Sequence, residues 1–304
     1  MTISFNTEQI LIDGLWRDAE NGATLDVLNP STGESICKIG RGSKNDINKA
    51  VKAARKALNG PWGKMTALER GRILTNIGRA LQEYEDELTE LESLDVGKPL
   101  KQARADAVAC ARYMEFYGGA ADKVMGHTIP YMEGYTVLTL REPHGVTGHI
   151  IPWNYPMQMI GRSIGGALAM GNACVLKPAE DACLTALLFA RIAEEAGLPK
   201  GVLNVVTGIG AEAGAALSAH PDIDHISFTG SVPVGTMVQK AAADNIVPVT
   251  LELGGKSPQI VFDDADLEQA LPFLVGGGIQ NAGQTCSAAS RLLIQRGIYD
   301  ELLD

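Results

Sequence analysis

The fold is decided between residues 146 and 251. There, five short apolar runs alternate with helical segments: VTGHII (146–151), ACVL (173–176), VLNVV (202–206), HISF (225–228) and PVTL (248–251). One helix is expected after Pro156, and others over 184–196, 210–219 and 234–243. Strands alternating with helices at this spacing mean βαβ units and a parallel sheet. The runs are continuously apolar rather than alternating, as expected where helices cover both faces.

Upstream, residues 10–40 read as short strands and turns, with Asn29-Pro30-Ser31-Thr32-Gly33 as a turn between two β-like runs. From Asn45 the period changes: Ile47, Val51, Ala54 and Leu58 have the spacing of an amphipathic helix. The pattern returns over 68–94 as one helix, ended by Gly97-Lys98-Pro99, and another helix covers 100–117. Residues 128–140 read as a hairpin turning at Glu133-Gly134, and such an exposed strand edge must be covered or paired, often by another subunit. Downstream, 291–295 reads as a strand. A helix begins at Ile298, with neither cap nor turn before Asp304, so the last units read as a domain cut off early.

The 304 residues suggest about two domains, and 45% hydrophobic with 20% charged residues exclude wholesale disorder. A net charge of −10 without any Lys/Arg run argues against a nucleic-acid partner. Five cysteines without a CxxC pair are not a disulfide framework, and the five histidines lack metal-ligand spacing. The stretch 157–176 is broken by Arg162, Asn172 and four glycines, too polar to cross a membrane. The N-terminus has no basic segment leading into a long apolar run, so no signal peptide is expected and a reducing cytoplasm is the expected location.

Several segments can carry chemistry. Gly208-Ile209-Gly210, with Gly214 four residues on, follows a strand and opens a helix, but its spacing is GxGxxxG rather than GxGxxG. Phe228-Thr229-Gly230-Ser231 also joins strand to helix, where free N–H groups suit a phosphate. Each loop taken alone reads as a plain strand-to-helix turn. Lys177 and Glu180 follow a strand at the sheet edge where ligands bind. A carboxylate there accepts from a ribose 2′-hydroxyl and repels a 2′-phosphate, so a dinucleotide would be NAD rather than NADP. Taken alone, the pair is a surface ion pair across a turn.

Cys286 ends the polar, glycine-containing segment Asn281-Ala282-Gly283-Gln284-Thr285-Cys286, and a thiolate is a strong nucleophile at neutral pH. Cys110, Cys174 and Cys183 sit in helix or strand patterns and read as small buried hydrophobes. Glu252 lies between Leu251 and Leu253. Either it is buried, with its pKa raised for general-base work, or strand alternation turns it to solvent. Asn154, in Pro152-Trp153-Asn154-Tyr155-Pro156, either donates to a developing oxyanion or caps the helix. Asn154, Gln158 and Arg162 are four residues apart and share one helix face. Either that face lines an entry tunnel and suits a polar or anionic ligand, or it is an outward polar face.

The ordered set PWNYP (152–156), KPAE (177–180), FTGS (228–231), LELGGKSP (251–258) and GQTC (283–286) resembles the NAD(P)-dependent aldehyde dehydrogenase superfamily, of the non-acylating type. The likeness covers essentially the whole chain. Glu252 and Cys286 lie 34 residues apart, as in the family, while Ile279 stands where a bulky aromatic is often found.

The resemblance implies aldehyde oxidation to an acid with NAD, through a thiohemiacetal and a thioester on Cys286. Asn154 would hold the oxyanion and Glu252 would activate water. Lys177, Glu180, Gly210, Gly230, Ser231, Trp153 and Leu253 would bind the cofactor, and no metal is needed. It also implies an α/β fold with three parts. Residues 1–124 and 144–254 would form a discontinuous parallel-sheet NAD-binding domain, and 125–143 a protruding oligomerisation hairpin. Residues 255–304 would form the truncated start of an α/β catalytic domain, with 276–304 exposing apolar surface. A homodimer or homotetramer is the expected assembly of the full-length form. The alternative is a non-catalytic NAD-binding fragment of such an enzyme.

Overall fold

The five apolar runs form the parallel centre of one sheet in the structure, a computed structural model that describes residues 3–304. Residues 1 and 2 of the expected segment 1–124 lie outside the described residues. The chain opens with two antiparallel pairs, β1 (Gln9–Ile12) with β2 (Leu15–Asp18), and β3 (Thr24–Leu28) with β4 (Ser35–Gly40). Helices α1 (Lys44–Leu58), α2 (Pro61–Lys64), α3 (Ala67–Glu83), α4 (Glu85–Val96) and α5 (Leu100–Ala120) follow. Ser43 caps α1 and Thr66 caps α3, each with a reciprocal capping box.

The single helix expected over 68–94 is two. The chain breaks at Tyr84 (φ −95°, ψ 11°), and α4 restarts with Glu85, Asp86 and Glu87 in its first turn. Acidic side chains there face the positive end of the helix dipole, and Arg104 pairs with Glu85 and Asp86. Gly97 (φ +73°) ends α4, where a Cβ would meet the Pro30 ring at 2.8 Å.

The hairpin β5 (Thr128–Ile129) and β6 (Val137–Leu138) is short, and its flanks expose Tyr131, Met132, Tyr135 and Leu140. Beyond it come β7 (Val146–Ile150), α6 (Pro156–Met159), a π-helical turn Ile160–Ile164, α7 (Gly165–Ala169), β8 (Ala173–Lys177), α8 (Leu184–Glu195) and β9 (Leu203–Val205). A second π turn, Gly210–Gly214, leads into α9 (Ala215–Ser218), then β10 (His225–Gly230), α10 (Val232–Ala243) and β11 (Val249–Leu253).

The sheet runs β11-β10-β7-β8-β9-β1-β2, parallel from β11 to β9 and antiparallel where β9 meets β1 and β1 meets β2. Every residue of β7 and β8 is buried, the polar Thr147, His149 and Lys177 included. The core holds Leu176, Leu187, Phe189 and Val205 with Trp62 and Leu91 from the N-terminal helices.

The sequence reading missed two elements after Leu253: β12 (Pro258–Val261) and α11 (Leu267–Ile279). Pro272 and the glycines at 276–278 read as breakers, yet Asp266 caps α11 by accepting from the Gln269 N–H. β12 pairs in parallel with β13 (Arg291–Ile294), and α12 (Tyr299–Leu303) closes the described chain.

Candidate active site

The order of strands locates the crevice. From β7 the chain steps outward to β8 and β9, then returns to place β10 and β11 on the other side of β7. Ligands of open α/β sheets bind beyond the strand C-termini at such a reversal. The strand ends there carry Trp153 and Asn154 after β7, Lys177 on β8, Gly230 at the end of β10 with Ser231 after it, and Glu252 and Leu253 on β11.

Lys177 is almost fully buried, and its Nζ lies 2.5 Å from Glu180 Oε2. The Gly210 N–H donates to Glu180 Oε1 at 3.0 Å. Burial alone would raise the Glu180 carboxyl, but the hydrogen bond and charge of Lys177, with the Gly210 N–H, hold it below the usual carboxylate range. Gly210 leaves the pair open from above: a Cβ there would stand 3.9 Å from Glu180 Oε1 and 4.0 Å from Lys177 Nζ. Ser231 caps α10 by accepting from the Val234 N–H, and since Pro233 has no N–H, the Val232 N–H is the one left in this first turn to meet a pyrophosphate. Leu253 packs beside Gly235, and Trp153 is exposed. A buried ammonium with its carboxylate, an open glycine above them and a helix N-terminus on one crevice fit a dinucleotide.

The thiol is set by strained backbone. Asn281, Ala282 and Gly283 all have positive φ (52°, 57° and 77°) just before Cys286. For Ala282 this costs on the order of 1–3 kcal/mol and must be held by its surroundings. The holding bonds come from across the crevice. Asn281 Nδ2 donates to the carbonyls of Asn154 (3.0 Å) and Gln284 (3.1 Å), and Asn154 Nδ2 donates to Gln284 O at 2.8 Å. Asn154 does not cap the helix: Tyr155 holds that position and has no side-chain cap bond. One Asn154 amide proton is committed to Gln284 and the other is free to donate. Cys286 is exposed, whereas Cys110, Cys174 and Cys183 are buried and burial pushes their thiols up, Cys174 to about 12.

Of the two readings of Glu252, alternation wins. Its side chain is exposed while Leu251 and Leu253 are half-buried, so the expected desolvation is absent. Glu252 lines one side of a cavity of about 730 Å³ on one sheet face. The alternate residues Thr147 and His149 of β7, Ser227 and Thr229 of β10, and Thr250 of β11 face the same cavity. His149 Nε2 bonds Thr147 Oγ1 at 2.8 Å while its Nδ1 is buried without a partner, and burial lowers this imidazole to about 3.

The shared face expected for Asn154, Gln158 and Arg162 is not formed. Asn154 precedes the helix, and the π turn Ile160–Ile164 separates Gln158 from Arg162. Gln158 donates to Asp106 at 2.6 Å, and Arg162 lines the cavity.

Two residues escaped the sequence reading. Asn281 joins the two halves of the site. Tyr155 is buried beneath it, with Lys98 Nζ 4.5 Å from its ring centre. Lys98 is buried between Glu92 (3.0 Å) and Asp106 (2.5 Å), so one ammonium shared by two carboxylates underlies the segment that presents Asn154. The available signal was Tyr155 fixed between two prolines, and Lys98 in a helix-ending motif.

Among the described residues no group of three or more His, Cys, Asp or Glu can hold a metal ion, and no helix is long and apolar enough to cross a membrane.

The profile of the aldehyde dehydrogenase family matches residues 16–304. The chain is 46% identical, over its whole length, to aldehyde dehydrogenase family 2 member B4, mitochondrial, of Arabidopsis thaliana, covering 57% of that protein. It superposes with a TM-score of 0.96 on a putative aldehyde dehydrogenase from Burkholderia cenocepacia, at 61% identity over 97% of this chain and 62% of that one. Against betaine aldehyde dehydrogenase of Staphylococcus aureus in complex with NAD+ the TM-score is 0.95, at 39% identity over 97% of this chain and 59% of that one. The chain thus spans about 57–61% of the length of the curated relatives it matches.

Proposed function

Because the chain belongs to the aldehyde dehydrogenase family, we propose that it oxidises an aldehyde to a carboxylic acid with NAD through a covalent intermediate on Cys286. The observation that carries this reading is the Asn154–Gln284 hydrogen bond, which ties an amide donor to the loop of an exposed thiol.

Cys286 Sγ attacks the aldehyde carbon and forms a thiohemiacetal. The free Asn154 amide proton and the Cys286 backbone N–H donate to the oxygen that becomes negative. When bound, NAD supplies the acceptor for the hydride whose loss turns the thiohemiacetal into a thioester. Glu252 takes a proton from the water that attacks the thioester, which releases the acid and frees the thiolate. Lys177 and Glu180 hold the adenosine ribose, and the carboxylate disfavours NADP. Gly230 and Ser231 would hold the pyrophosphate, and Gly210, Trp153 and Leu253 would complete the cofactor site.

On this reading residues 1–124 with 144–254 bind the cofactor, 125–143 pairs with a second copy in a homo-oligomer, and 255–304 begins the catalytic unit. The apolar residues exposed on the hairpin, Ile129, Tyr131, Met132 and Tyr135, support such pairing. Five free cysteines support a reducing compartment such as the cytoplasm.

The test is NADH absorbance with NAD and a panel of aldehydes, beside Cys286→Ala. Turnover is expected from the chain and none from the variant. NAD binding without NADH from either protein would leave a cofactor-binding fragment and sink the enzyme reading.

A further inference from the structure

We propose that Asn281 is a positioning residue that aims the Asn154 amide at the oxygen of the aldehyde. The inference rests on the dehydrogenase reading and adds to it a residue that acts through another. The geometry is a closed ring of hydrogen bonds. Asn281 Nδ2 uses both of its protons, one on the carbonyl of Asn154 (3.0 Å) and one on that of Gln284 (3.1 Å). Asn154 Nδ2 closes the ring by donating to the same Gln284 carbonyl at 2.8 Å. Asn154 is thus gripped at its backbone and at its side chain. Both Nδ2 protons lie in the amide plane, so holding one sets the direction of the other. The Asn281 amide cannot be turned over, because that would set its Oδ1 against two carbonyl oxygens.

The position is shaped for this task. Asn281 is 2% exposed, so water does not replace its donors, and its Oδ1 is buried without a partner. An unpaired buried acceptor costs on the order of 1–3 kcal/mol. A turn alone asks for no such cost: glycine would adopt the same φ of 52° with no acceptor to bury. The turn itself is closed by the main chain, where the Gln284 N–H donates to the Asn281 carbonyl at 3.1 Å. What the side chain adds is the link between the loop of Cys286 and the residue that faces the developing oxyanion.

The test uses Asn281→Gly, which removes the amide and keeps a residue suited to positive φ. It is made in the parent chain and on Asn154→Ala. Cys286 is alkylated with iodoacetamide, without NAD, at rising concentrations of butanal, and the Cys286 peptide is read by mass spectrometry. Addition of Sγ to the carbonyl carbon, with the thiol proton ending on the oxygen, shields the thiol. The half-protecting concentration therefore reports how well that oxygen is held. It is expected to rise on the order of 10-fold in Asn281→Gly, as for loss of a well-aimed hydrogen bond, with alkylation in the absence of aldehyde nearly unchanged. On Asn154→Ala the same substitution should add little, because the group it aims is gone. Asn281→Ser, which keeps one donor, should give a smaller rise, and it replaces Asn281→Gly if that variant does not fold. Equal protection in variant and parent, or the same rise on both backgrounds, overturns the inference and leaves the dehydrogenase reading intact. Butanal that fails to protect the parent thiol at any concentration sinks that reading and the inference with it.

Discussion

Helices α8 and α11 are of similar length, and α11 has the more apolar sequence, yet their surroundings are opposite. Nine of the twelve residues of α8 are buried, and none of the thirteen of α11 is. The difference lies in the partners. α8 packs on α3, α4 and β9, whereas α11 contacts mainly the short turn that follows it. Apolar composition makes a helix able to stabilise a core, but only a facing surface turns that capacity into free energy. The candidate site straddles the two regimes. Asn154 and Lys177 stand on the well-packed sheet, and Cys286 on the thinly packed segment that begins after Leu253.

Paired truncations sharpen this contrast. Phe189, on α8, is 0% exposed, and Phe189→Ala is expected to cost about 3–5 kcal/mol in urea unfolding. An effect below about 1 kcal/mol would mean that the two regions are equally loose. A second, smaller effect belongs to the sheet alone. Burial lowers His149 to about 3 from the ordinary 6.5, so the folded state keeps it neutral. Its contribution is fully present above about pH 6.5. It is lost as pH falls toward 3, because the unfolded chain takes up a proton that the folded chain refuses. Stability should drop on the order of a few kcal/mol across that window from this group. His149→Gln should flatten the slope, and an identical slope in the variant would remove the claim. The smallest effect is on α11: Phe273 is 79% exposed, and Phe273→Ala is expected to stay within about 0.5 kcal/mol of the parent.

What the sequence disclosed follows the same division. The alternation from Val146 to Leu253 was legible because buried parallel strands are continuously apolar and helices keep a 3.6-residue period. The break at Tyr84 was not, since neither Gly nor Pro marks it. The pairing of Leu11 with Val205, which adds the N-terminal hairpin to the sheet, has no local signature. β12 and α11 were hidden by the prolines and glycines within them. At the site, Cys286, Glu252 and Asn154 were legible as residue types in telling contexts. The exposure of Glu252, the diversion of Gln158 to Asp106 and the role of Asn281 were not, because each depends on contacts made across the fold.

The central claim is that chemistry runs through Cys286 with Glu252 completing it. Its most direct test is intact-peptide mass spectrometry of Glu252→Gln after incubation with NAD and an aldehyde substrate. An acyl adduct confined to the Cys286 peptide, accumulating because water is no longer activated, is the expected result. No adduct, in a variant whose parent makes NADH, or an adduct on one of the four other cysteines would contradict the account.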